Sequence, residues 1–75
     1  MNLYLLSRRE PAGYDEAGGF VVCASTEEKA RNVASLEHGD EGKDTWLRDY
    51  EVSCELLASD VEVEAGIVLR DFHAG

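Results

Sequence analysis

The chain has 75 residues, 44% of them hydrophobic, and sixteen Asp and Glu against seven Lys and Arg give a net charge of −9. That length makes one domain over residues 1–75, and that apolar content is too high for a disordered chain. The acid excess works against direct binding of nucleic acid, whose phosphates attract clustered Lys and Arg, and a chain this short has little room for a catalytic cleft of about 300–1,000 Å³.

The charge is unevenly spread. Residues 1–25 carry two positive and three negative charges, residues 26–50 four and seven, and residues 51–75 one and six. One use of such acidity is solubility. The more specific use is a surface that meets a basic partner, where opposite potentials speed and orient encounter. The opening Met-Asn-Leu-Tyr-Leu-Leu-Ser-Arg-Arg puts its basic residues after a short apolar run, the reverse of a secretory signal. No apolar stretch reaches the roughly 18 residues a membrane span needs. The expected location is the cytoplasm, without membrane contact, and with Cys23 and Cys54 as reduced thiols.

In chain order, Asn2 to Ser7 is predicted as a strand with both faces partly covered, because Leu3 and Leu5 share one side and Tyr4 and Leu6 the other. Arg8 to Gly19 holds the single Pro, three Gly and Asp15, which is loop chemistry. Phe20 to Ala24 is β-branched and aromatic at its centre and reads as a second strand. Ser25-Thr26-Glu27-Glu28 fits a capping box with Ser25 as the cap, and Ala30, Val33 and Ala34 then recur at helical spacing. A helix is expected from Thr26 to about Glu37, stopped by a left-handed Gly39.

Residues 39–44, Gly-Asp-Glu-Gly-Lys-Asp, form a charged loop. Tyr50, Val52, Cys54, Leu56 and Ala58 then alternate with Glu51, Ser53 and Glu55, the pattern of a half-buried strand. Val61 to Glu64 either extends that strand past a kink at Ser59-Asp60 or forms a loop, and Gly66 opens a last strand from Ile67 to Phe72. The order β-β-α-β-β gives an α+β two-layer domain, one helix on a mainly antiparallel sheet. The first two strands and the last two can each pair with one another, and the helical crossover allows one parallel pair.

Few residues carry a catalytic or metal-binding pattern. The loop at 39–44 lacks the alternating oxygen ligands of a calcium loop. Cys23 and Cys54 lie 31 residues apart without a CxxC or paired His, so a zinc site is not indicated. His38 and His73 have no adjacent nucleophile in any known triad pattern. No cofactor, metal site or catalytic residue is therefore predicted. The candidate contacts are instead the carboxylates Glu51, Glu55, Glu62 and Glu64, extended by Asp40, Glu41 and Asp44. To these are added Tyr14, beside Asp15 and Glu16 in the long loop, and Trp46, which is either a binding hot spot or a lid on the core.

Three stretches carry a resemblance. They are Leu-Tyr-Leu-Leu-Ser-Arg, then Gly-Tyr-Asp-Glu with Phe-Val-Val-Cys-Ala-Ser-Thr-Glu-Glu-Lys-Ala-Arg, and Gly-Ile-Val-Leu-Arg-Asp-Phe-His-Ala-Gly at the end. The arrangement resembles small acidic proteins encoded by phages and prophages, a class that includes anti-CRISPR proteins similar to DNA in charge. The resemblance implies a non-enzymatic inhibitor in a bacterial host. Its partner would be a protein with a basic surface, such as a CRISPR effector complex, held through an acidic face that acts as a nucleic-acid mimic. The second reading is an accessory protein–protein interaction module whose acidity serves only solubility.

Overall fold

Side-chain alternation sets the two faces of the first strand. In the computed structural model, which describes residues 1–73, β1 (Asn2–Arg8) buries Tyr4 and Leu6 on one side and leaves Leu3 and Leu5 half-buried on the other. β2 (Glu16–Ala24) follows, then α1 (Glu27–Leu36), a short 3-10 helix (Lys43–Leu47), β3 (Val52–Ala58) and β4 (Gly66–His73). The four strands form one sheet in the order β3-β1-β2-β4, and every pairing is antiparallel. This is the expected α+β architecture of a helix on an antiparallel sheet.

Two expectations of the topology are corrected. β1 and β2 do pair, but β3 and β4 lie on opposite edges and do not. The crossover through α1 does leave β2 and β3 running in the same direction, yet β1 sits between them and no parallel pair forms. Residues 59–65 must then travel from one edge of the sheet to the other. Three inter-strand gaps amount to about 14 Å, and seven extended residues reach about 23 Å. The connection therefore spans the sheet end with slack. It starts at Asp60, which takes a left-handed φ of 56°, and Val61 N–H donates to the Met1 carbonyl at 2.9 Å. Of the two readings of Val61 to Glu64, the loop is what forms.

α1 begins one residue later than its sequence signal suggests. Thr26, not Ser25, is the cap: its extended backbone (φ −143°, ψ 161°) lets the hydroxyl accept from Lys29 N–H at 3.2 Å, and Glu27 and Glu28 lie against the positive end of the helix dipole. Ala30 and Ala34 are fully buried against the sheet, with Val33 beside them. Arg31 is also buried. Its Nε donates to Glu27 at 3.0 Å and its Nη1 to the Trp46 carbonyl at 3.2 Å, which ties α1 to the 3-10 helix.

Gly39 is not a left-handed helix stop, since its φ is outside that region. It is a glycine of close approach. A Cβ there would run into the Asp15 carbonyl oxygen, and would lie 2.7 Å from a Phe72 ring carbon and 2.9 Å from Glu41 Oε1. Backbone on one side and a ring on the other leave nowhere to yield. Gly39→Ala is therefore expected to cost about 1–3 kcal/mol through this overpacking, read as a lower urea midpoint.

The core lies between α1 with the 3-10 helix and one face of the sheet. Trp46, Phe20, Leu6, Val22 and Val52 are its largest fully buried side chains. The Trp46 ring meets Phe20 edge-on, with centroids 4.7 Å apart and planes at 84°, a favoured geometry for two quadrupoles. Tyr50, expected on the buried side of β3, precedes that strand and is 70% exposed. Leu56 is on the helix side, opposite Tyr4, yet 55% exposed, because α1 packs mainly over β2, β4 and β1.

Candidate functional site

Both helical elements cover the same side of the sheet, so its other side is open. The strand register arranges that open side in rows across all four strands. The middle row is Glu55, Leu5, Val21 and Leu69. Toward the end of β1 comes Ser53, Ser7, Gly19 and Asp71, and toward its start Ala58, Leu3, Cys23 and Gly66. The face is thus aliphatic at its middle, polar at one end, and at the other holds small residues around Leu3. Leu5 and Val21 are half-buried by their neighbours, while Leu69 is 61% exposed.

The connection at 59–65 closes the small end. Cys23 is fully buried although it faces the open side, and its Sγ donates to the Val63 carbonyl at 3.8 Å. Glu62 and Glu64 flank Val63 and are exposed. Carboxylates therefore border the aliphatic row on three sides: Glu55 at the β3 edge, Asp71 toward the polar end, and Glu62 with Glu64 at the crossing loop. No strand position on this face holds Lys or Arg. Among the described residues Glu55, Glu62 and Glu64 have no ion-pair partner, whereas Arg8, Arg31 and Arg48 pair with Glu16, Glu27 and Glu51.

The edges of the sheet are blunted. Register shifts insert Leu57 in β3 and Val68 in β4 as extra residues. Bulges on both edge strands interrupt the ladder that another strand would need. The broad face is less interrupted than either edge.

The candidate carboxylates are not all gathered on this face. Glu55 is on it, and Glu62 and Glu64 border it from a loop, not from a strand. Glu51 lies in the turn before β3, paired with Arg48 at 2.9 Å. Asp40 and Asp44 are exposed but belong to the helix side, in and after the loop whose Asp40 N–H donates to the Asp15 carbonyl at 2.6 Å. They do not extend the open face.

Glu41 is turned inward. Its Oε1 accepts from Gly39 N–H at 2.8 Å and Ala17 N–H at 3.0 Å, and its Oε2 from the Trp46 indole N–H at 2.6 Å. Burial alone would raise its pKa. The Trp46 bond, followed by the backbone bonds of Ala17 and Gly39, outweighs burial and holds the carboxyl below its ordinary value. It ties β2, the loop and the 3-10 helix together, so its oxygens are engaged inside the domain. Trp46 itself is fully buried. It is the lid of the core and cannot serve as a contact without unfolding.

Tyr14, at 77% exposed, stands free in the β1–β2 loop, as a contact residue requires. Tyr50 joins it as an exposed aromatic near the same end of the sheet. Two clefts flank Arg8 and Arg9 there, one lined by Tyr50 and Glu51 and the other by Gly18 and Asp71. Both guanidinium groups already donate within the domain, Arg8 to Glu16 and the Ala17 carbonyl and Arg9 to the Asp49 carbonyl.

Neither cysteine is bonded to the other: Cys23 is buried on the open side and Cys54 packs partly into the core. Burial, and after it the charge of Glu27, pushes the Cys54 thiol up, away from the reactive thiolate. His38 Nδ1 lies 2.7 Å from the Gly39 carbonyl, an acceptor only, so that nitrogen donates. The side chain of His73 is outside the described set. Among the described residues no three His, Cys, Asp or Glu side chains are grouped to hold a metal ion, and no helix is long and apolar enough to cross a membrane.

The aliphatic row Leu5, Val21 and Leu69 was not singled out from sequence. Its signal lies in β1, which is apolar on both sides while, among the described residues, a single α-helix is there to cover them. No protein-family model, curated protein or solved structure matches this chain.

Proposed function

We propose that this protein is a non-enzymatic binding module that docks a basic protein surface against the open face of its sheet. The observation that carries this reading is the charge pattern of that face, with Glu55, Glu62, Glu64 and Asp71 around it and no Lys or Arg in its rows. A flat acidic surface suits proteins whose Lys and Arg hold nucleic acid, and occupying those side chains inhibits them. A CRISPR effector complex in a bacterial cytoplasm is one such partner, in keeping with the resemblance to phage-encoded acidic proteins.

The test is charge reversal against a defined basic probe. Each exposed pair contributes about 0.2–1 kcal/mol, so single changes are mild. Changing Glu55, Glu62 and Glu64 together to Lys is expected to weaken binding of an oligolysine peptide by about tenfold or more, since three such losses sum to roughly 1.5 kcal/mol. Wild-type binding should also fall steeply with ionic strength. Reversing Asp40, Asp44 and Glu28 on the helix side is the control for net charge. If the control weakens binding as much as the open-face variant, with both folded by thermal melt, the open face is not the site.

A further inference from the structure

The chemistry of the open face specifies more of its partner than a positive charge. A surface that meets only basic residues needs no aliphatic centre, yet the row Leu5, Val21 and Leu69 runs unbroken across three strands. Leu69 is 61% exposed, and Val63 on the crossing loop is 55% exposed. Each carries an aliphatic side chain into water with no helix over it. Interfaces are built this way, with an apolar centre that supplies affinity inside a polar rim that excludes water and sets register.

Charge decides which occupant fits. A second copy laid face to face would bring Glu55, Asp71, Glu62 and Glu64 of each chain onto a face whose rows hold no cation, and Arg8 and Arg9 beside Asp71 at the polar end already donate within their own domain. A net charge of −9 adds to that repulsion. An anionic lipid surface and a nucleic acid are repelled on the same ground. An aliphatic patch ringed by Lys and Arg satisfies both the row and its border.

Building on the binding reading above, we infer that the partner of the open face is a protein surface with exposed aliphatic side chains at its centre and Lys or Arg around them, and that Leu5, Val21 and Leu69 supply most of the affinity. The rim carboxylates then govern the association rate and its salt dependence. The row governs how long the complex lasts.

The experiment compares two probes of equal charge, a short alternating Leu-Lys peptide and an oligolysine, by calorimetric titration. The Leu-Lys peptide is expected to bind at least tenfold tighter, and Leu69→Ser should remove most of that advantage while leaving oligolysine affinity unchanged. Leu69 is exposed near a sheet edge, so this change is compatible with folding, and Leu5→Thr, which keeps a strand-forming residue, serves as the second variant. Equal affinities for the two probes, both reduced by the triple Glu55, Glu62 and Glu64 reversal, would overturn the aliphatic role and leave the charge reading standing. Affinities untouched by that reversal would overturn the charge reading itself. A wild-type protein that sediments as a dimer, and as a monomer after Leu69→Ser, would identify the occupant as a second copy and overturn the proposal.

Discussion

Truncating Trp46 to Ala is expected to cost about 3–5 kcal/mol, the usual range for removing a large buried aromatic ring. That is most or all of the stability a domain of this size holds, so the variant should be largely unfolded at physiological temperature. The loss has two parts. The ring fills the space between α1 and the sheet and meets Phe20 at 4.7 Å, and its indole N–H donates to Glu41 at 2.6 Å. Trp46→Phe separates them: it keeps most of the packing, removes the N–H, and should cost about 1–3 kcal/mol. Urea unfolding followed by far-ultraviolet circular dichroism measures both. A Trp46→Ala variant within about 1 kcal/mol of wild type would mean that Trp46 is not the keystone of the core.

Glu41→Ala should be nearly as damaging, at about 3 kcal/mol, because it removes the acceptor for three N–H groups at once and leaves the buried indole donor unsatisfied. Its contribution depends on pH in a defined direction. The folded carboxyl is held below its ordinary value of 4.5, so the unfolded chain takes up this proton first as pH falls. The stability is fully present above the ordinary value and drains away as pH drops through the folded one. Glu41→Gln keeps the shape but not the charge. It should be less stable than wild type at neutral pH, with the gap narrowing below about pH 4.5. A gap that is constant from pH 7 to pH 3 would show that the charge of Glu41 contributes nothing to the fold.

The four strands and α1 were legible in the sequence, because they write their period locally, but Glu16 to Gly19 of β2 read as loop and the 3-10 helix Lys43–Leu47 left no such signal. Tyr4 and Leu6 against Leu3 and Leu5, and Ala30, Val33 and Ala34, identify β1 and α1 without any tertiary information. What sequence did not reveal lies in contacts between distant segments. That Glu62 and Glu64 sit on a loop follows from β3 and β4 occupying opposite edges, a choice no local pattern encodes. Glu41 sits between two glycines among charged residues and reads as solvated. Only the arrival of Ala17, from the first third of the chain, turns it into a half-buried clamp. Gly39 carries the same lesson, since its reason for being glycine is the Asp15 carbonyl twenty-four residues earlier.

The candidate site was half legible for a related reason. Glu55, Glu62 and Glu64 were found by charge, which composition displays directly. The row Leu5, Val21 and Leu69 was not, because aliphatic residues in a strand look the same whether a helix covers them or not. Counting covers against apolar faces would have located it: one long helix, and a first strand apolar on both sides. Trp46 was legible only as a pair of alternatives: its charged neighbours Lys43, Asp44 and Arg48 allowed a contact, and the lid on the core is the one that forms, since the side chain is fully buried.

The claim that the open side of the sheet is the docking surface is tested most directly by two-dimensional amide NMR of the labelled protein during titration with the alternating Leu-Lys peptide. The perturbed signals are expected to cluster at Leu5, Val21, Glu55 and Leu69 and at Glu62 to Glu64 on the crossing loop, with those of α1 and of Asp40 and Asp44 unmoved. Perturbations centred on α1, or on Arg8, Arg9 and Tyr50 around the clefts at the far end of the sheet, would contradict it.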